Sequence, residues 1–395
     1  MQAGVTDPGE RPNSALDPRT RRLVGPIVAA KALTLLAVWA CLALFPDIFA
    51  HRQYIEVFRG NYGHLPPGPP DPSIAFATWD AAHYLRLAEH GYGGVGPENA
   101  FYPLYPLVLR AVGPLFGGDL VFAGLVVSNL AGILALLVLH DWLLRRESAS
   151  VADGAVLLLC VEPAAFFGSL VYSESLFLLL VALMFNLQDR GRPWAAGTMG
   201  ALLALTRPVG VFVVAPLGIA LLRDRRRGPV LLSSLLPCAG WLGYLGIVGL
   251  GSGDPWLGFR IQSGFLTHSS VARLWDPWSF LQVLFTVDSV HGVRGSALDR
   301  LVFLWFVVAV VLMARAKPRS LDTLAYTLLV GLVPAVTVQL ASYLRYFSLA
   351  FPAFAATARV LDTPARRPWL VVLSAACLVL QALLLLRHIN YRWAG

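Results

Sequence analysis

Charge is what this sequence has least of. Only 14% of its 395 residues are Asp, Glu, Lys or Arg, against about 25% in an ordinary soluble domain. So few charges cannot cover a water-soluble globule of this length. The 57% of apolar residues and the mean hydropathy of +0.64 suit a chain whose solvent is mostly lipid. Lysine is nearly missing, with Lys31 and Lys317 alone, so arginine carries the basic charge. That bias, with abundant Ala and Leu, is in keeping with a GC-rich genome and a bacterial source. The four cysteines, Cys41, Cys160, Cys238 and Cys377, sit in apolar stretches without metal-site spacing or a disulfide framework. There is no Walker loop, GxGxxG, HExxH or GxSxG, so nucleotide-driven work and serine or zinc hydrolysis have no support.

What is there is a series of apolar runs, which predicts an all-α polytopic membrane protein. The runs are 24–47, 120–143, 151–168, 174–188, 195–206, 209–222, 229–250, 301–315, 321–339, 345–361 and 368–388. Several fall below the ~17 residues that span a bilayer unaided. The first, following a polar tail at 1–23, is longer than a signal-peptide core and reads as a retained span. A net charge of +8 raises nucleic acid as a partner, but the basic residues cluster in short loops, which is how membrane topology is written. With the tail cytoplasmic and about 11 transmembrane helices, all the basic clusters fall on one side. They are Arg145–Arg146, Arg190 with Arg192, Arg223 to Arg227, Arg315 to Arg319, and Arg366–Arg367. This requires 195–222 to make two short passes turning at Thr206-Arg207-Pro208. Residues 24–395 then form a single membrane domain with external loops at about 48–119 and 251–300. The first carries Pro66-Pro67-Gly68-Pro69-Pro70; the second has Trp256, Trp275 and Trp278, suited to the membrane surface.

The polar residues that interrupt this pattern are the candidates for chemistry. The densest group runs from Trp79 to Tyr92. Read as a helix closed by Gly91, it puts Asp80, His83, Tyr84 and Leu87 on one face. Asp80 reads either as a helix cap or as a carboxylate at the water-facing edge of a membrane cavity, with an imidazole one turn on. Glu162 and Glu174, with Tyr172 beside the latter, lie in apolar spans where an acid costs about 2.5–3.5 kcal/mol to insert. Ser173 and Ser175 read as caps, since no base is spaced to activate them. Arg207 and Arg345 stand among apolar residues; they read either as snorkelling to the interface or as guanidinium forks for a phosphate.

Trp79-Asp80-x-x-His83 with Ala88-Glu89-His90-Gly91-Tyr92, then Ala100-Phe101-Tyr102-Pro103-Leu104-Tyr105-Pro106, resembles the signature of the PIG-V family. Pro163-Ala164 and Tyr172-Ser173-Glu174-Ser175-Leu176-Phe177 follow in the same order. The resemblance implies a GT-C glycosyltransferase, a multi-helix bundle whose first external loop has juxtamembrane helices and carries the catalytic acid. The donor it implies is a polyprenyl- or dolichyl-phosphate sugar, and mannose rests on the family. Asp80 and His83 are expected to be catalytic. Trp79, Tyr84, Arg86, Glu89, His90, Tyr102, Tyr105, Glu162, Tyr172, Glu174, Arg207 and Arg345 are expected to bind substrate. Glu162 stands where the family usually has Asn, and Pro208-Val209 where it has Ser-Asn. A bacterial glycolipid, polymer or protein is therefore the expected acceptor. No cofactor and no metal ligand set is called for, although a divalent metal is left open. The expected setting is a bacterial plasma membrane with an external site, or the ER membrane if the source is eukaryotic. Competing readings are a transporter or flippase of a lipid-linked sugar and a non-catalytic subunit that presents lipid.

Overall fold

The computed structural model describes residues 16–45, 76–94, 96–226, 228–264, 267–390 and 392–395. The tail before 16 and the expected proline-rich turn Pro66–Pro70 lie outside these. The described residues form helices, with one isolated bridge between Ser289 and Ser296. In chain order the α-helices are α1 Pro18–Arg22, α2 Val24–Leu44, α3 Asp80–His90, α4 Leu104–Val112, α5 Leu120–Leu144 and α6 Ala149–Val161. Next come α7 Glu174–Asp189, α8 Pro193–Thr206, α9 Val214–Arg223, α10 Leu236–Ser252, α11 Leu257–Gly264 and α12 Pro277–Phe285. The last five are α13 Ala297–Arg315, α14 Leu321–Thr337, α15 Tyr343–Leu349, α16 Pro352–Leu361 and α17 Arg367–Ile389.

Apolar runs become helices because, in hydrocarbon, every backbone polar group needs a partner within the chain. Among the described residues, five helical stretches are long and apolar enough to cross a bilayer: Pro18–Leu44, Leu120–Leu144, Gly228–Ser252, Ala297–Arg315 and Arg367–Ile389. The remaining expected passes are shorter helices packed among these. Leu33, Leu36 and Trp39 of α2 and Val371, Leu378 and Leu383 of α17 face outward, as lipid-facing side chains do. The core lies where α5, α7 and α14 meet the start of α16, and there Trp142, Phe185, Tyr326 and Phe351 pack in edge-to-face and tilted ring contacts. Small residues let backbones touch: a Cβ at Gly240 would overlap the carbonyl oxygen of Ala201.

At Arg207 the chain doubles back. Arg207 is extended (φ −153°, ψ 154°), and the 3-10 turn Pro208–Val213 folds against α8 so tightly that a Cβ at Gly210 would overlap the Leu203 carbonyl. Gly200 on α8 faces Leu217 on α9. Two short antiparallel pieces therefore replace a single long helix.

The ends of the bundle differ. At one end, Arg146 pairs with Asp189 (2.5 Å), Arg223 with Asp322 (3.2 Å) and Arg359 with Glu147. This gathers the basic turns of the sequence together. At the other end lie α3, the segment before α7, Arg207 and the start of α15, around one large cavity.

Candidate active site

α3 is the helix that the 80–91 spacing predicts. Its amide at Gly91 bonds back to Leu87, and Gly91 takes the left-handed φ of 74° that stops a helix. Its start is unusual. Trp79 precedes it with φ 58° and ψ −130° and supplies no side-chain cap. A bulky residue in that region stores strain, which concentrates at functional sites. Asp80 is the first helical residue, at the positive end of the helix dipole.

Arg345 comes from α15. The chain reaches that helix through Gln339, Leu340 and Ser342, all left-handed at φ 53°, 62° and 57°. Asp299, fully buried near the start of α13, holds this turn: its Oδ1 accepts the Leu344 amide at 3.1 Å. The Arg345 guanidinium donates Nη1 to Asp80 Oδ2 (2.7 Å), and Nε (2.8 Å) and Nη2 (2.5 Å) to Glu174 Oε1. Arg207 Nη1 lies 3.0 Å from the same oxygen. Two guanidinia and the Glu174 carboxylate, all buried, thus balance with the part-exposed Asp80 in one cluster, which meets the rule that buried charges be paired. The faces of Phe167 and Tyr172 flank the Arg345 guanidinium at 4.7 and 4.9 Å.

Asp80, Arg207 and Arg345 line a cavity of about 970 Å³. From the sequence-predicted set, Trp79, His83, Tyr84, Tyr102 and Tyr172 line it too. His83 is stacked on Phe101 at 4.7 Å, and burial pushes its imidazole down to about 4, so it is neutral at pH 7. Tyr102 stacks on Tyr244 at 4.0 Å. Tyr84 meets Ser173 Oγ at 2.8 Å, so that hydroxyl is bound in the wall. The other predicted residues stand back from the cavity. Arg86 lies 3.7 Å from Glu98, while Glu89 and His90 are exposed and 3.5 Å apart. Tyr105 is buried on Ser128 (2.7 Å). Glu162 accepts the Ala164 amide at 2.8 Å and borders, with Glu174, a second cavity of about 50 Å³.

Sequence reasoning missed several wall residues. Trp393 meets Trp79 edge to face at 5.8 Å, and Ala394, Gly395, His388 and Phe167 line the cavity beside it. Gln262, Val271 and Leu274 of the second loop also contribute. No sequence signal marks the final residues, because they act through tertiary contact. Asp299 did have one: Ser296-x-x-Asp299 has capping-box spacing. Ser296 Oγ does accept the Asp299 amide (3.2 Å), but the carboxylate reaches across to α15 rather than back to its own helix. Among the described residues, no group of three His, Cys, Asp or Glu side chains is gathered to hold a metal.

Residues 74–223 match the family model described as mannosyltransferase (PIG-V). The GPI alpha-1,6-mannosyltransferase 2 of Rattus norvegicus is 31% identical over 215 residues, covering 50% of this chain and 42% of the relative. That of Cricetulus griseus is 35% identical over 244 residues, covering 56% and 47%. The chain thus spans about half the length of the relatives it matches. Among solved structures, an Archaeoglobus fulgidus oligosaccharyltransferase in complex with Zn and sulfate aligns with 93% of this chain and 53% of its own. The identity is 14% and the TM-score 0.47. The matched segment contains α3, the strained Trp79, Asp80, Glu174 and Arg207, so the likeness to the mannosyltransferase (PIG-V) family falls on three of the four members of the ion cluster.

Proposed function

We propose that this protein transfers a hexose, mannose by family, from a polyprenyl-phosphate donor to an acceptor hydroxyl at the non-cytoplasmic face of its membrane, with inversion. The observation that carries the reading is Asp80, part-exposed on the wall of a large cavity with two guanidinia within one ion cluster. Asp80 takes the proton of the acceptor hydroxyl, whose oxygen attacks the anomeric carbon. The bond from that carbon to the phosphate oxygen breaks, and polyprenyl phosphate leaves with the electron pair. A phosphate is already a good leaving anion, so positive charge from Arg207 or Arg345 suffices without a strong acid. A single base also fits inversion, since a hydrolase would need two carboxylates.

His83 stays neutral and serves by shape and hydrogen bonding beside Asp80. The acceptor is a lipid, glycan or protein hydroxyl, and a bacterial plasma membrane is the proposed setting. The match of residues 74–223 to a mannosyltransferase family model weighs for transfer over transport of a lipid-linked sugar. The test uses purified protein in lipid, given polyprenyl-phosphate mannose and a panel of acceptors, with release of polyprenyl phosphate measured. Asp80→Asn should abolish release while the protein stays monodisperse; normal turnover in that variant removes Asp80 from the role of base.

A further inference from the structure

We infer that the two buried arginines have separate duties: Arg345 positions Asp80, and Arg207 receives the phosphate of the donor. The inference rests on the polyprenyl-phosphate donor proposed above and divides a role that the sequence leaves shared.

Arg345 is fully committed. All three guanidinium nitrogens meet carboxylate oxygens, at 2.7 Å on Asp80 and at 2.8 and 2.5 Å on Glu174. Aromatic faces enclose it on Phe167 and Tyr172. Its aliphatic stem is pressed as well, since a Cβ at Gly395 would fall 2.7 Å from its Cδ. An incoming phosphate would have to displace a carboxylate already in place. Such a residue is built to fix Asp80, and its fork does so from a rigid frame.

Arg207 is placed differently. Among the described residues Glu174 is the one acid paired with it, through a single nitrogen at 3.0 Å. The guanidinium lines the cavity, leaving the rest of its fork for two-point contact with phosphate oxygens. The wall beside it is apolar: Val209, Val211 and Phe212 follow it in sequence, and Val333, Pro334 and Val338 of the α14 region join them. A phosphate that carries a hydrocarbon chain meets both requirements there, a cation for its head and an apolar surface for its tail. Asp80 contacts Arg345 rather than Arg207, so the acceptor hydroxyl that it deprotonates lies apart from the phosphate held by Arg207.

The experiment takes the full chain in lipid nanodiscs and measures equilibrium binding of radiolabelled polyprenyl phosphate, then initial rates with polyprenyl-phosphate mannose. Arg207→Gln is expected to weaken polyprenyl phosphate binding at least tenfold and to raise the donor KM. Arg345→Lys is expected to leave that binding within twofold and to lower kcat at least a hundredfold, because a lysine cannot hold both carboxylates. Arg207→Lys, which keeps the cation, covers misfolding of the glutamine variant and should still weaken binding several-fold. Equal loss of binding in the Arg207 and Arg345 variants, or loss in Arg345→Lys alone, overturns the division. Wild-type protein that neither binds polyprenyl phosphate nor releases it would instead sink the proposed donor itself.

Discussion

Glu174 offers the sharpest test of the ion cluster. Its Oε1 lies 2.5 and 2.8 Å from Arg345 nitrogens and 3.0 Å from Arg207, and the residue is 6% exposed. Replacing it by alanine leaves Arg207 buried without its acid and leaves Arg345 with Asp80 alone. Removing one member of a buried pair typically costs about 3–5 kcal/mol, chiefly because the surviving charge is left uncompensated. That is a large share of the roughly 5–15 kcal/mol that holds a domain folded. Glu174→Gln keeps the shape and one acceptor oxygen but loses the charge, so it should fall between alanine and wild type. Thermal unfolding in nanodiscs, followed by loss of the monodisperse peak, gives the order wild type, glutamine, alanine. Saturating polyprenyl phosphate should restore part of the loss in Glu174→Gln, since an anion then meets the freed cations. A ligand held at 100 times its Kd stabilises by about 2.7 kcal/mol. A glutamine variant that melts with wild type, and that polyprenyl phosphate does not shift, would refute the view that this carboxylate balances two buried guanidinia.

Two other outcomes follow from the same geometry. Asp299→Ala strips the Leu344 amide of its acceptor, which costs about 1–3 kcal/mol for a buried donor left unpaired. Amide hydrogen exchange at 343–345 should quicken, and unchanged protection there would remove Asp299 as the anchor of α15. His83 has a folded value near 4, below its ordinary 6.5. The unfolded chain therefore takes up the proton first: the stabilisation is complete above about pH 6.5 and is lost as pH falls toward 4. His83→Gln should flatten the acid limb of the melting curve within that window, and an unaltered limb would mean another group controls it.

Much of the helical fold was legible because apolar runs in hydrocarbon can do little else than become helices. The turn at 206–208 was legible for a different reason, since only a reversal keeps the basic loops on one side. The site was legible wherever charge sat in an apolar context. Asp80, Glu174, Arg207 and Arg345 stood out in that way, and the fold brings all four together. Helical periodicity separates the rest. His83 and Tyr84 share the Asp80 face of α3 and reach the cavity, Arg86 and Glu89 turn off that face, and His90, on the His83 side but two turns further along, lies at the exposed end of the helix. What could not be read was who pairs with whom. Glu174 binds partners 33 and 171 residues away, and nothing local encodes that distance. Trp393 and Gly395 reach the cavity wall only because α17 delivers them there.

The hairpin tip at Arg207 has a consequence for how the cation is held. Two peptide backbones meet there with nothing between them, because position 210 has no side chain. A knuckle closed that tightly cannot slide along its neighbour as a side-chain-filled seam can. The height of the guanidinium along the bundle is thereby set by bare backbone rather than by its own long and supple stem.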